Sequence, residues 1–378
     1  MFVARPHEVR PHDVSPSIEN ARVILAIKNF SKTPGVCHIG LGVTAANTQK
    51  VLRRNGVHTE VWSINATHDP KSGKVTREAA LLWMRLARAE KDPRPITHVI
   101  VSSPAWIQPQ DFENLAMRWP NITFVQLSHS GAAYLSIDKF GIRNIRDVVS
   151  LSEQFHNIRV AANNERVVKF ISSLGDDCLY LPNLYDTATF QNPVVARRLG
   201  STIRIGSFGA SRPWKNQLTA AEAAVMIGKS LGCNVELYVN SKRPDGGERM
   251  IESRQELFAN MPHAKLIEVP WMPWTKFRDL GATMHLEISC SFDETFCVVA
   301  ADGIAEGVPS VTSSALEWTP RSWWAECEDP SDIVKVGIGL VHNPIPAVHE
   351  ARVLLQKYVT LGVHRWLDFI NGIPQTLV

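Results

Sequence analysis

Two carboxylates, Glu294 and Asp302, lie eight residues apart in the segment SCSFDETFCVVAADGIAEGVP. The apolar residues after Glu294 recur with helical spacing, so we expect a helix that begins at Glu294 and ends before Gly307. Eight residues at about 100° each amount to two turns plus about 80°, so both acids can line one side of this helix. The apolar strand HLEIS precedes it. Since open parallel sheets bind ligands at the carboxyl ends of their strands, the two acids predict a ligand site there.

A second group of residues suited to ligand binding follows the apolar segment TIRIGSF. Gly209, Arg212 and Lys215 stand between this segment and the next helix. A glycine at the end of a strand lets the backbone approach a ligand, and the N-terminus of a helix attracts anions. An arginine can hold phosphate oxygens with two parallel hydrogen bonds, and a lysine adds a point charge. These positions therefore predict a site for a diphosphate.

The segment from Ser289 to Trp318 resembles the Glu-x7-Glu signature of the large retaining glycosyltransferase family with the GT-B fold. That family contains glycogen synthases, sucrose synthases and many bacterial sugar transferases. The chain departs from the family pattern in three places: Cys290 replaces a proline, Cys297 replaces a glycine, and Asp302 is one methylene shorter than the usual glutamate. The matching positions are Ser291, Glu294, Phe296, Asp302, Gly307 and Pro309.

The resemblance implies how a nucleotide-sugar donor would bind, mainly on the second half of the chain. Glu294 would be the central catalytic group and would hold hydroxyls of the transferred sugar, a hexose from a donor of the UDP-glucose type. Asp302 would accept hydrogen bonds from the ribose. The remaining donor contacts would be Thr295 and Phe296 beside the sugar and the backbone of Trp271 and Met272 around the base.

For the donor diphosphate, the resemblance implies Gly209, Arg212 and Lys215. Lys215 has the spacing of the family lysine after the glycine. The family arginine directly follows the glycine, where this chain has Ala210, so Arg212 would act from two residues further on. Both cations would stabilise the departing nucleoside diphosphate. The resemblance implies a retaining hexosyltransferase. The sequence contains no Asp-x-Asp motif for a metal, so we expect the transfer to be metal-independent and to use no cofactor.

In the first half, His129 ends the apolar segment ITFVQLSH, and the resemblance implies that it faces the donor sugar across the cleft. It would be a second catalytic residue that contacts the sugar or the acceptor. Gly40 and Gly42 would lie in a cleft loop between the first strand and the first helix. The same stretch reads Gly40-x-Gly42-x-x-Ala45 with Glu60 further on, a nominal dinucleotide fingerprint, although the first strand ends well before it. The alternatives are therefore an NAD(P)-dependent oxidoreductase and a catalytically silent sugar-binding protein.

Both halves of the chain alternate short apolar strands with amphipathic helices, and a polar stretch separates them. This rhythm predicts an α/β fold of parallel sheets covered by helices. With the resemblance, it implies the GT-B fold: two doubly wound Rossmann-like domains that face a cleft, with a C-terminal helix returning to the first domain. We expect a loose arm at residues 1–16, an acceptor-side domain at 17–190, a nucleotide-sugar-binding domain at 191–355, and the returning helix at 356–378.

The composition, with 44% hydrophobic and 20% charged residues, is typical of a soluble globular protein. The sequence contains no apolar run of the roughly 18 residues that a membrane span needs. The six cysteines show no paired spacing, which favours a reducing compartment over a disulfide framework. We therefore expect a cytoplasmic location, in the host cytoplasm if the protein is viral. The sequence leaves the oligomeric state open.

Charge is distributed unevenly between the two halves. Residues 1–186 carry 22 Lys/Arg against 17 Asp/Glu, a net +5, and residues 187–378 carry 18 against 20, a net −2. Lys50, Arg53 and Arg54 form a basic cluster in the first half, which also contains Trp62 and Trp106. Because the first domain of this fold normally binds the acceptor, we expect a polyanionic acceptor, either DNA with hydroxymethylated pyrimidines or an anionic glycan.

Overall fold

The structure is a computed structural model that describes residues 18–28, 40–65, 67–68, 75–102, 106–175, 178–191, 194, 196–240, 243 and 245–375. The arm expected at residues 1–16 lies outside them. The described residues form two parallel sheets with helices packed on them. Both sheets contribute residues to one cavity, which identifies the cleft between two α/β domains.

The first domain contains the six strands of one sheet and a short two-stranded ribbon. Its elements are β1 (Arg22–Ile27), α1 (Gly40–Arg54), β2 (His58–Ser63), β3 (Thr67–His68), β4 (Val75–Thr76), α2 (Glu78–Ala89), β5 (His98–Ser102), α3 (Pro109–Arg118), β6 (Thr123–Ser128), α4 (Ala132–Ile137), α5 (Gly141–Gln154), β7 (Ile158–Ala162), α6 (Glu165–Ser172) and β8 (Leu179–Tyr180). The sheet order is β2-β1-β5-β6-β7-β8, with β3 and β4 paired separately.

The second domain is built on a five-stranded parallel sheet. Its elements are β9 (Thr202–Ser207), α7 (Gln217–Leu231), β10 (Asn234–Asn240), α8 (Glu248–Phe258), β11 (Ala264–Val269), α9 (Trp274–Gly281), β12 (Leu286–Ser289), α10 (Val298–Ala305), β13 (Ser310–Thr312), α11 (Pro330–His342) and α12 (Pro344–Ile370). The sheet order is β11-β10-β9-β12-β13. Short 3-10 turns lie at Thr187–Gln191, Pro213–Lys215 and Arg321–Trp323.

The strand orders confirm the doubly wound prediction. In the first sheet the chain runs outward from β1 to β2 on one side and from β5 to β8 on the other. In the second sheet it runs outward from β9 to β11 and then from β12 to β13. The connections that follow β1 and β5 therefore lead towards opposite edges of the first sheet. Those that follow β9 and β12 likewise lead towards opposite edges of the second sheet. Such switch points open a crevice at the carboxyl ends of the strands, where ligands of α/β proteins bind.

Two local predictions about helix starts are wrong. Helix α10 begins at Val298, so Glu294 lies in the loop before it rather than on its first turn. The residue before the helix, Cys297, has φ 59°, a left-handed conformation from which an α-helix cannot continue backwards. Helix α1 begins at Gly40, so Gly40 and Gly42 lie in its first turn and not in a loop.

The last helix returns to the first domain, as predicted. Trp366 on α12 donates a hydrogen bond from Nε1 to the Pro182 carbonyl over 2.8 Å. Gly362 faces the same segment, and a Cβ there would lie 2.9 Å from Leu184 Cδ2 and 3.1 Å from Pro182 Cγ. Only a glycine therefore allows α12 to approach this closely. The helix begins at Pro344, earlier than the predicted residue 356.

Candidate active site

A cavity of about 440 Å³ lies between the two sheets at the carboxyl ends of their strands. The first domain lines it with the start of α1 and the loops after β5, β6 and β7. The second domain lines it with the loops after β9, β10, β11 and β12. The loops after β9 and β12 flank the switch point of the second sheet, so the cavity occupies the crevice that the doubly wound topology creates.

Glu294 and Lys215 form an ion pair across that switch point. A Glu294 carboxylate oxygen accepts a hydrogen bond from Lys215 Nζ, and the side chains are only 13% and 17% exposed. Burial opposes ionisation of Glu294, but the Lys215 charge outweighs it and lowers the pKa of Glu294 below its usual range. Lys215 is therefore a buried, paired cation, where the sequence suggested a loop lysine.

Arg212 lies at the same end of the cavity and is held on three sides. Its Nε and Nη2 donate to one carboxylate oxygen of Asp245 over 3.0 and 2.9 Å. The guanidinium also lies over the rings of Tyr134, at 5.1 Å, and Trp214, at 5.7 Å. These contacts fix the guanidinium plane beside the cavity. A bound anion would share the Arg212 guanidinium with Asp245.

Gly209 provides open space beside these cations. Its φ of 109° lies in the left-handed region, which strains any side-chain-bearing residue, and its N–H donates to Asn240 Oδ1 over 3.1 Å. A Cβ placed at Gly209 would meet no heavy atom within 4 Å. The glycine is thus required by the backbone conformation, and the space in front of it is available to a ligand.

Among the described residues that line the cavity, three buried polar atoms have no hydrogen-bond partner: His129 Nε2, Asn163 Oδ1 and Trp271 Nε1. Buried polar groups in native proteins are nearly always paired, so unpaired ones at a cavity indicate groups that a ligand satisfies. His129 directly follows β6, where its strand-end position predicted it. Burial lowers the pKa of His129 to about 4, so the imidazole is neutral at neutral pH.

The low pKa of His129 gives a signed pH prediction. Between about pH 6.5 and pH 4 the unfolded chain binds a proton that folded His129 does not bind, so stability falls as the pH falls. Relative to His129→Gln, the wild-type free energy of unfolding should therefore decrease by up to about 3 kcal/mol from pH 7 to pH 4. Urea unfolding at both pH values measures this difference, and a pH-independent difference would contradict it.

His98 offers a matched control for that experiment. Burial also lowers the pKa of His98 to about 4. Its ring centre lies 5.1 Å from the ring centre of Phe369, and His98 does not line the cavity. Relative to His98→Gln, the wild-type free energy of unfolding should show the same decrease from pH 7 to pH 4. Only His129→Gln should in addition alter ligand binding in the cavity.

Asp302 lines the cavity from α10, but both of its carboxylate oxygens already have donors. Tyr185 Oη donates to one over 2.6 Å and Trp274 Nε1 donates to the other over 2.9 Å. Asp302 is 3% exposed, and burial raises its pKa to about 7. A ribose hydroxyl at Asp302 would share these oxygens with the two donors. Because Tyr185 lies in the segment after β8, Asp302 also joins this segment to the second domain.

Replacing Asp302 by alanine should therefore destabilise the fold. Asp302→Ala leaves the buried Tyr185 hydroxyl and the Trp274 N–H without their acceptor, which costs about 1–3 kcal/mol per group. Asp302→Asn should cost much less, because the amide oxygen can face Trp274 and the Tyr185 hydroxyl can turn to accept. Chemical unfolding of the three proteins measures the order, and equal stability of Asp302→Ala and the wild type would contradict it.

The loop from Asp293 to Phe296 is held against the first domain. Asp293 Oδ2 accepts from the Ala133 N–H over 2.8 Å, and Thr295 Oγ1 accepts from Asn163 Nδ2 over 3.3 Å. Thr295 Oγ1 also lies 3.4 Å from the His129 carbonyl, to which it donates. Sequence analysis missed Asp293 and Asn163, because their partners lie on the other domain and no local spacing indicates them.

The other predicted site residues fall into two groups. Trp271 and Met272 line the cavity, and the Arg243 guanidinium lies over the Trp271 ring at 5.8 Å. Gly40 also lines it, whereas Gly42 is buried within α1 away from it. Phe296 touches the cavity but is 3% exposed and stacks between other rings. Its partners are Trp318, at 5.2 Å, and Tyr358, at 5.6 Å.

The described part of the chain contains no cluster of three or more His, Cys, Asp or Glu side chains arranged to hold a metal ion. Among the described helices, none combines the length and apolar character that a membrane crossing requires.

Comparisons with known proteins find matches only among solved structures: no family profile and no curated sequence matches the chain. A sucrose-phosphate synthase from Thermosynechococcus elongatus aligns with a TM-score of 0.65 at 14% identity, over 93% of this chain and 100% of that one. The catalytic domain of Starch Synthase IV from Arabidopsis thaliana, bound to ADP and acarbose, aligns with a TM-score of 0.61 at 11% identity, over 93% and 99%.

A third match is TarM from S. aureus, solved with fondaparinux, alpha-GlcNAc-glycerol and UDP. It aligns with a TM-score of 0.56 at 16% identity over 81% of this chain, which spans 62% of the TarM chain. The chain has the GT-B fold. At these identities the likeness establishes the fold alone, and the GT-B cleft coincides with the cavity that contains Glu294 and Lys215.

Proposed function

We propose that the protein is a retaining glycosyltransferase that moves a hexose from a nucleoside diphosphate sugar to an acceptor hydroxyl. The observation that carries this proposal is the buried Glu294–Lys215 ion pair at the switch point of the second GT-B sheet. The pair places a carboxylate and a cation side by side in a cavity large enough for a nucleotide sugar. The matched structures of Starch Synthase IV and TarM contain ADP and UDP, which agrees with a nucleotide donor.

In this proposal the diphosphate binds in front of Gly209, between Arg212 and Lys215. Its negative charge increases as the bond to the sugar breaks, and fixed cations in a cavity sheltered from water stabilise that charge without rearranging. Glu294 then shares Lys215 with the diphosphate and accepts hydrogen bonds from sugar hydroxyls. Neutral His129 faces the sugar with its unpaired Nε2. The acceptor hydroxyl attacks on the face that the diphosphate leaves, and its proton passes to the departing diphosphate oxygen, so no strong protein base is required.

The experiment that tests the donor is a thermal-shift screen of UDP, ADP, GDP and their sugars, followed by release of free nucleoside diphosphate. A stabilising nucleotide sugar and its slow hydrolysis without acceptor support the proposal. NAD(H) or NADP(H) is the comparison ligand, because the Gly40-x-Gly42-x-x-Ala45 stretch would serve an oxidoreductase. Stabilisation by NAD(P) but by no nucleotide sugar would contradict the proposal. Sugar-nucleotide binding with no turnover at all would favour a silent binding protein.

We expect donor turnover to survive removal of divalent metals. Lys215 and Arg212 supply the positive charge that a metal would otherwise place on the diphosphate. The rate of nucleoside diphosphate release should therefore change by less than about twofold in excess EDTA. Abolition of release by EDTA, with recovery on adding Mg²⁺ or Mn²⁺, would show that the two cations are insufficient.

For the acceptor we propose a polyanion, and the exposed charges of the first domain support it only in part. Lys139, in the turn between α4 and α5, and Arg143 and Arg146, on α5, are exposed and close in sequence to Tyr134, which lines the cavity. In the cluster predicted on α1, however, Arg54 forms an ion pair with Asp186. In the same cluster, Arg53 donates to the Thr59 carbonyl, and Lys50 lies 5.7 Å from the Trp274 ring centre.

The acceptor is tested by transfer of labelled sugar to DNA that contains hydroxymethylcytosine or hydroxymethyluracil, with unmodified DNA as the control. Transfer should weaken steeply with salt, because binding a polyanion releases its counterions. An anionic glycan is the second arm of the same assay. Strong transfer to neutral glycosides, with none to modified DNA or to anionic glycans, would contradict a polyanionic acceptor while leaving the donor proposal intact.

A further inference from the structure

A pair of thiols lies directly behind the loop that carries Glu294. Cys290 is the first residue after β12, and Cys327 lies beyond the turn Arg321–Trp323. Their sulfur atoms are 3.6 Å apart, and both residues are free cysteines. A disulfide bond is about 2.05 Å long, so a bond requires the two sulfur atoms to approach by about 1.5 Å. Cys290 occupies one of the three positions at which the chain departs from the Glu-x7-Glu signature.

The Cys327 segment contacts both loops that supply the ion pair. The Cys327 carbonyl accepts from Asn216 Nδ2 over 2.7 Å, and Asn216 directly follows Lys215. Cys327 Sγ also lies 3.4 Å from the carbonyl of Ser291, which begins the Glu294 loop. A movement of the Cys327 segment is therefore transmitted by direct hydrogen bonds to the Asn216 side chain, in the loop of Lys215, and to the Ser291 backbone, in the loop of Glu294.

The two thiols differ in reactivity in a way that suits stepwise oxidation. Cys290 is 1% exposed, whereas Cys327 is half-buried and is the more exposed residue of the pair. The hydrogen bond that Cys290 donates lowers the pKa of Cys327, and the same bond together with burial raises the pKa of Cys290. Of the two thiols, Cys327 therefore forms the thiolate, which is the reactive form, more readily.

We propose that Cys290 and Cys327 are a site of reversible oxidation by peroxides, and that their disulfide weakens the donor site. The Cys327 thiolate attacks one peroxide oxygen, the O–O bond breaks, and the products are Cys327 sulfenic acid and, after protonation, water. The Cys290 sulfur loses its proton and attacks the Cys327 sulfur. The S–O bond breaks, and the leaving hydroxide takes up the proton as a second water. Two thiols lose two electrons and one peroxide gains them.

The effect on the site follows from the approach of the two sulfur atoms. The approach is shared between rotation of the two side chains and a shift of the flanking segments, and a shift of the order of 1 Å costs about 100-fold in well-aligned sites. This consequence rests on the proposed function, because it treats Lys215 and Glu294 as donor contacts. Formation of the disulfide itself does not depend on any activity.

The cross-link is tested on the full-length reduced protein with stoichiometric hydrogen peroxide, alkylation of the remaining thiols, and digestion by a protease that cleaves before aspartate. This cleavage separates Cys290 on residues 279–292 from Cys297 on residues 293–301, and places Cys327 on residues 302–328. The first and third peptides should be found joined in the wild type, and separate after dithiothreitol or in Cys327→Ser. Full alkylation of both cysteines after peroxide treatment, or oxidation of Cys297 instead, would overturn the proposal.

The effect on the site is measured by calorimetry with UDP, ADP and GDP. Affinity for the nucleoside diphosphate that binds the reduced protein should fall at least tenfold on oxidation and recover with dithiothreitol. Cys327→Ser should keep its affinity in peroxide, and Cys233→Ser, which removes a half-buried thiol elsewhere, should remain sensitive. A cross-linked protein that binds as tightly as the reduced one would overturn the effect on the site. A cross-link in a protein that binds no nucleotide would support the disulfide and contradict the proposed function.

Discussion

Glu294→Gln should fold and yet lose about 10²–10³ in kcat for sugar transfer, because the amide carries no charge to stabilise a cationic transition state. The amide keeps the volume of the side chain and an oxygen that accepts from Lys215, so the loop should keep its position. Steady-state kinetics with saturating donor measures the loss. KM for the donor should change far less than kcat, since the lost interaction strengthens in the transition state.

The matched control is Glu306→Gln. Glu306 is 20% exposed, comparable to Glu294, and pairs with Arg278 outside the cavity. Its substitution removes one half of a similarly buried ion pair, so it reproduces any cost in stability without removing a side chain that lines the cavity. Near wild-type turnover in a folded Glu294→Gln protein would exclude Glu294 from catalysis. A large loss in both variants would point to stability rather than chemistry.

Lys215→Ala should weaken binding of the donor nucleoside diphosphate by about 10- to 100-fold, the value of a charge-assisted hydrogen bond of about 1.5–3 kcal/mol. Unlike a surface lysine, Lys215 also balances the buried Glu294 charge. Its loss leaves burial of Glu294 uncompensated, so the pKa of Glu294 rises and the acid limb of the pH–rate profile moves to higher pH. Calorimetry measures the affinity, and kcat against pH measures the shift.

Two further variants separate charge from packing. Lys215→Met keeps an apolar side chain of similar length and should lose the same affinity, while Lys276→Met on α9 tests removal of a lysine outside the cavity. In the double variant Lys215→Ala with Glu294→Gln, the losses should be smaller than additive, because each partner already depends on the other. Unchanged nucleotide affinity in both Lys215 variants would show that the phosphate site lies elsewhere.

The fold could be predicted from local patterns in the sequence. Strand β1 is six consecutive buried residues, as expected where a parallel strand is covered on both faces, and the helices between strands carry apolar stripes. Two doubly wound domains and the returning helix α12 were predicted from this rhythm and the resemblance, and are confirmed. The start of α10 was missed because Cys297 adopts a left-handed φ that non-glycine residues rarely take. The glycine usual at that position in the family was the signal for it.

The site shows the limit of local patterns more clearly. Residue types and spacing, together with the resemblance, selected Glu294, Lys215, Gly209 and His129, and all four line one cavity. They did not indicate that Lys215 pairs with Glu294, 79 residues away. Nor did they indicate that Arg212 is engaged by Asp245.

By itself, the sequence determined the elements, their order and the chemical types available at the strand ends, because helix and strand periods are local properties of the chain. Only the tertiary structure decided which of these groups are charged, paired or unpaired. Tyr185 donates to Asp302 across 117 residues, and Asp293 accepts from Ala133 across 160. Such contacts depend on how two sheets face each other, and burial between the sheets sets the pKa values of His129 and Asp302. The local spacing of residues encodes neither these contacts nor these pKa values.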